Sequence, residues 1–241
     1  MPEHRPIDAE GAALSLLLAA LWGANPVAIK LGLADMPPLR LAFMRFVLSA
    51  VVIFAYAMLT KRYDVLTIRA GEATPIWSLG LLFVVQVALM NFGLERTTAA
   101  HGVIVLNSYA VHTVVFAHFL FPGDRLTPPK LAGVLIAYSG VVLLFARSFS
   151  MSSSTLAGDL IVALSAVFLG ERIVYIAKAV QRLDPVRLML YQSIIGSAGF
   201  FLIGFATEAD RPTLDPPRGG RHRAHRAPLS QARGAQDMPV G

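Results

Sequence analysis

The chain has 241 residues, of which 55% are hydrophobic, with a mean hydropathy of +0.60, a formal net charge of +6 and no cysteine. That composition excludes an ordinary soluble domain and implies a polytopic membrane protein. The missing thiols exclude disulfides, thiolate metal sites and cysteine nucleophiles. The modest positive charge lies mostly in links and tail, so it bears on topology before nucleic acid.

Residues 1–11 form a polar leader of mixed charge, unlike the basic start of a signal peptide, and are expected in the cytoplasm. Seven apolar spans follow, near 12–34, 38–59, 75–95, 98–121, 128–147, 156–181 and 186–206. The first carries Trp22, Asn25, Pro26 and Lys30 within an otherwise apolar run. Hydrocarbon offers these polar groups no partner, so they must face protein or a wet cavity. Pro26 lacks a backbone donor, so the first span is expected to be broken there. Arg45 lies about two turns into the second span, where a guanidinium is costly unless paired or wetted; it is either an anion or carboxylate contact in the pathway, or it snorkels or bonds a helix end. Gln86 and Asn91 in the third span have the chemistry of interhelical bonding groups.

The fourth span carries His101, Asn107, Ser108, Tyr109, His112 and His118. At 100° per residue, His101, Ser108 and His112 share one face, and Asn107 and His118 another. One face is expected to line a solute pathway, and a titrating His112 would suit proton coupling. The spacing is not that of a helical metal pair. The fifth span has small residues at Gly133, Ala137 and Gly140, and the seventh at Ser193, Gly196, Gly199 and Gly204, which suit close helix packing. In the sixth, Glu171 is the single acidic residue well inside a span; proton or cation coupling competes with an ion pair to Arg172 or Lys178.

Lys and Arg are richer in alternate links: Lys61, Arg62 and Arg69, then Arg125 and Lys130, then Lys178, Arg182 and Arg187. The intervening links hold Arg40, Arg96 and Arg147, so the amino terminus is expected in the cytoplasm. A shift of 147 positions brings Gly23 onto Gly170, Val27 onto Val174, Ile29 onto Ile176, Pro38 onto Pro185, Arg40 onto Arg187 and Leu41 onto Leu188. The shared Pro-x-Arg-Leu link in fixed register points to internal duplication. Five spans separate the two starts, so the second copy enters from the opposite side, the inverted-repeat plan of many secondary transporters. From Asp210 to Gly241 the chain turns arginine-, proline- and glycine-rich, expected as a disordered basic tail standing where further helices of the second repeat would fall.

WGANPVAIKLGL at 22–33, PPLRLAFMRF at 37–46, GDRLTPPKLAGVLIAYSGVVLL at 123–144 and GDLIVALSAVFLGERIVYIAKAV at 158–180 together resemble the EamA-type transporters of the drug/metabolite transporter superfamily. The resemblance covers about Ala12 to Ala206 and departs from the family pattern at Val111, where a proline is usual, and at Pro122-Gly123-Asp124, where Leu-Gly-Glu is usual. It implies two inverted five-helix repeats and export or exchange of small metabolites such as amino acids.

The expected fold is therefore an all-α polytopic membrane bundle of inverted five-helix repeats with the second incomplete. Residues 12–147 form the first repeat, 156–206 a partial second, and 210–241 the tail. The expected function is secondary transport across the cytoplasmic membrane, with an inactive fragment or an intramembrane enzyme built on the histidines and Glu171 as alternatives. Candidate substrate-binding residues are Trp22, Asn25, Lys30, Arg45, Asn107, His112, Glu171 and Tyr175. The expected partners are a small metabolite and the bilayer, without nucleic acid, metal or cofactor; a homodimer is compatible with this plan.

Overall fold

A computed structural model describes residues 9–120, 126–148 and 153–209. The helices are α1 (Ala9–Gly32), α2 (Pro38–Leu59), α3 (Ala73–Arg96), α4 (Ala99–Asn107), α5 (Tyr109–Leu120), α6 (Pro128–Ser148), α7 (Ser153–Ala179) and α8 (Pro185–Thr207), with a 3₁₀ turn at Tyr63–Leu66. No strand occurs among the described residues. Six stretches are long and apolar enough to cross a membrane, α4 and α5 together making one; the shorter apolar part of α6 runs Pro128–Leu143. The first helix begins at Ala9, inside the expected leader. Residues 1–8, the Pro122-Gly123-Asp124 link, Arg125 and the tail from residue 210 lie outside the described residues.

Contacts at the helix ends fix their directions. Glu208, just past α8, accepts from the amides of Leu39 and Arg40 at the start of α2, at 3.0 and 3.2 Å. At the other end, Arg62 beyond α2 pairs with Asp184, the residue that caps α8. These two helices are therefore antiparallel. Lys30 at the end of α1 donates to the Leu94 and Glu95 carbonyls at the end of α3 (2.6 and 3.2 Å). Thr97, beyond α3, bonds Asp159 near the start of α7. Arg187 at the start of α8 meets Glu72 at the start of α3, at 2.8 Å. Hence α1, α3 and α8 run one way and α2 and α7 the other, so the α7–α8 pair is inverted relative to α1–α2. Each second helix opens on the proline predicted by the shift, Pro38 or Pro185.

The central element is α3, which packs on α7 and α8 and touches α1 and α2. Its buried face carries Ile76, Leu79, Phe83, Val84, Val87 and Met90. Facing outward, Leu16 (72% exposed), Leu48 (65%) and Phe205 (74%) offer the apolar surface that lipid covers. Close packing depends on glycine. A Cβ on Gly158 would lie 2.7 Å from the Thr97 nitrogen and 2.9 Å from the Gly93 carbonyl oxygen, both backbone atoms of the α3 end. The α8 stripe receives Phe83 at Gly196 and Val84 at Gly199. The α6 stripe differs: a Cβ on Gly133 or Gly140 would meet nothing within 4 Å.

The expected break in the first span is absent. Helix α1 runs unbroken through Pro26, which is buried. Proline removes one donor and leaves the Trp22 carbonyl without its usual intrahelical partner, yet the flanking turns hold the helix. The interruption falls in the fourth span instead, at Ser108. There Ser108 Oγ donates to the Val105 carbonyl (2.7 Å) and Asn107 Nδ2 to that of Val103 (2.8 Å), side-chain bonds that compete with the helical ladder.

Candidate functional site

A cavity of about 390 Å³ opens between the two inverted pairs. Helix α1 supplies Trp22 and Asn25, three residues apart and so on one face. Arg45 comes from α2, Phe83 and Gln86 from α3, and Arg172 from α7. Two larger hollows lie elsewhere. One of about 580 Å³, between the start of α2 and the end of α8, is almost wholly apolar; another of about 610 Å³ sits at the opposite end, beside Arg69, Lys178 and Arg182. The central cavity is distinguished by chemistry: both inverted pairs send polar groups into it at mid-span.

Two guanidinium groups dominate it. Arg45 Nη2 donates to Asn25 Oδ1 at 2.8 Å, while its Nη1 is buried without a hydrogen-bond partner. Arg172 Nη1 donates to Gln86 Oε1 at 2.8 Å, and its Nε is likewise buried and unpartnered. Gln86 is oriented in turn by Ser165, donating to its hydroxyl (3.2 Å) and accepting from it at the main-chain carbonyl (2.9 Å). The aromatic pair Phe46 and Phe83 stands edge to face with centroids 4.6 Å apart. The Arg45 Cζ lies 5.6 Å from the Phe46 centroid and that of Arg172 4.7 Å from the Phe83 centroid. Ring faces and neutral amides soften the cost of two buried cations without cancelling their charge. Among the described residues no carboxylate lines the cavity. The two guanidinium groups give the cavity wall a positive charge.

The structure brings Trp22, Asn25 and Arg45 together and separates the other five candidates. Lys30 is committed to the end of α3. Asn107 is exposed and bonds its own helix. His112 lies between α5 and α6, with Nδ1 2.7 Å from the Tyr138 hydroxyl. Glu171 does not line the cavity, and Tyr175 borders the hollow near Lys178. The remaining histidines are dispersed: His101 Nδ1 lies 2.8 Å from Asp159, and His118 accepts from the Leu126 amide. Among the described residues no group of three His, Asp or Glu has the arrangement to hold a metal.

The sequence offers Arg172 as a partner for Glu171, and the 147-residue shift also places Arg172 on Asn25 and Gln192 on Arg45. One inverted pair carries amide then guanidinium, the other guanidinium then amide. Gln192 is buried on α8 with Nε2 unpartnered, outside the cavity lining.

A bundle of long apolar helices around a cavity with two arginines in its wall is the architecture of a multi-pass membrane protein. The profile of the EamA-like transporter family matches residues 9–146, and the chain belongs to that family. It is 34% identical over 137 residues to a "Probable amino-acid metabolite efflux pump" of Escherichia coli K12, covering 57% of this chain and 43% of the relative. A protein of the same printed name from Salmonella typhimurium is 32% identical over 155 residues (64% and 49%). An "Uncharacterized transporter" of Archaeoglobus fulgidus is 29% identical over 203 residues (80% and 65%). The chain thus spans between 43% and 65% of the length of these relatives. No solved structure matches it significantly.

Proposed function

We propose that the chain carries small carboxylate-bearing metabolites, amino acids among them, outward or in exchange across the cytoplasmic membrane. The observation that carries this reading is Arg45, bonded by one nitrogen to Asn25 and leaving another unpartnered beside the central cavity. A carboxylate would accept from that nitrogen, and Asn25 would keep the guanidinium turned inward. The names of the Escherichia coli and Salmonella relatives support amino-acid metabolites and the outward direction. In this reading 12–147 and 156–206 act as two repeat units either side of the site, and the amino terminus faces the cytoplasm.

The test is calorimetric titration of the purified chain in lipid nanodiscs with a panel of amino acids and simple carboxylates. Losing a charge-assisted bond costs about 1.5–3 kcal/mol, so Arg45→Ala should weaken binding by about tenfold or more. Asn25→Ala should weaken it less, by releasing the guanidinium. Full affinity in both Arg45→Lys and Arg45→Ala would make Arg45 structural and remove the carboxylate argument.

A further inference from the structure

The proposed reading uses one arginine, but the cavity has two. Arg172 is held as Arg45 is: one nitrogen on a neutral amide, another buried and unpartnered, and the guanidinium beside a phenylalanine ring. The two cations come from different inverted pairs, Arg45 beside Phe46 and Arg172 beside Phe83, and those two rings meet edge to face with centroids 4.6 Å apart. Among the described residues no acidic side chain lines the cavity to balance either. A neutral amino acid offers one carboxylate and brings an ammonium group into a space already holding two positive charges. It would satisfy one guanidinium and be repelled by the other. A single-centre dianion would leave one of two separated guanidinium groups without a partner.

We infer that the preferred substrate is a small organic acid with two carboxylates, one held by Arg45 and the other by Arg172. This rests on the central cavity being the solute site. Gln86 then acts as a positioning residue: its amide, fixed by Ser165, turns Arg172 toward the cavity. The cavity volume of about 390 Å³ leaves room for a small dicarboxylate.

The experiment titrates succinate, butyrate, glutamate, glutamine and inorganic phosphate into the full chain in nanodiscs. The wild-type protein should bind succinate about tenfold or more tightly than butyrate, and glutamate more tightly than glutamine. Arg172→Gln should weaken succinate about tenfold more than butyrate and so erase both preferences, whereas Arg45→Gln should weaken butyrate and succinate together. Arg172→Lys, which keeps the charge, should retain part of the succinate preference and shows that loss in Arg172→Gln is not misfolding. Equal binding of succinate and butyrate by the wild type, or an undiminished preference in Arg172→Gln, would overturn the inference and leave the carboxylate reading standing. Phosphate binding tighter than succinate would overturn it in favour of a single-centre dianion. Binding of none of the carboxylates would remove the underlying reading as well.

Discussion

Two glycines related by the internal repeat should respond in opposite ways to the same substitution. Gly170 in α7 faces α5: a Cβ there would lie 2.7 Å from the His112 Cβ and 3.0 Å from the Thr113 nitrogen and the Tyr109 oxygen. Two of those atoms are backbone, so relief requires α5 and α7 to separate. Its counterpart in α1, Gly23, has nothing within 4 Å of the same position. Replacing a mid-helix glycine by alanine gains roughly 0.5–1 kcal/mol of helix propensity at either site. Overpacking costs about 1–3 kcal/mol, and only at Gly170. The propensity gain cancels in the comparison, so Gly170→Ala should be less stable than Gly23→Ala by about 1–3 kcal/mol. Reversible unfolding of the detergent-solubilised protein in a mixed-micelle denaturant series measures that difference. Equal stability of the two variants, or a more stable Gly170→Ala, would refute the close approach of α5 and α7.

Three further outcomes follow from contacts at the helix ends. Arg187 is 1% exposed and bonds Glu72 through Nη1 at 2.8 and 3.0 Å, while its Nη2 bonds the Asp64 carbonyl at 2.6 Å and lies 3.5 Å from the Asp64 carboxylate, so Glu72→Ala should destabilise by less than the about 3–5 kcal/mol of a stranded ion, and Glu72→Ala combined with Asp64→Ala should reach that range in the same unfolding assay. At Asp184, burial works to raise the carboxyl's pKa, but the Arg187 amide and Arg62 outweigh it and hold it below the ordinary 3.8. The folded value is depressed, so its stabilisation is complete above 3.8 and fades as pH falls through the folded value; Asp184→Asn should flatten that acid limb in a pH series of unfolding midpoints. Reporter fusions at Arg69 and Arg182 should both report the cytoplasm, and an external report from either would reverse the orientation drawn from the charged links.

Much of this architecture is legible in the chain because the membrane restricts the choices. Apolar runs of about twenty residues can only be helices, and the 147-residue shift sets the starts at Pro38 and Pro185 to the residue. The same rule misled at Pro26, since a proline removes one hydrogen bond without requiring a helix to end. The interruption at Ser108 was invisible to hydropathy; it arises from side chains that bond back to their own helix, a matter of rotamer. Small-residue stripes on α6 and α8 look alike in sequence, yet Gly196 and Gly199 receive α3 side chains and Gly133 and Gly140 receive none. Asn25 and Arg45 were readable as a pair because a short link joins their helices. Arg172 was hidden by Glu171 beside it, and only the third dimension turns the arginine to the cavity and the glutamate away from its lining.

The central claim is that solute binds in the cavity between the inverted pairs, and Trp22 in its wall can report that directly. The chain has two tryptophans, Trp22 and Trp77, so Trp77→Phe leaves a single reporter at the site. Titration of the ligand that binds best in calorimetry should change Trp22 emission saturably, with the calorimetric Kd, and Arg45→Gln should weaken both signals together. Calorimetric binding that leaves Trp22 emission unchanged would place the solute elsewhere and contradict the account.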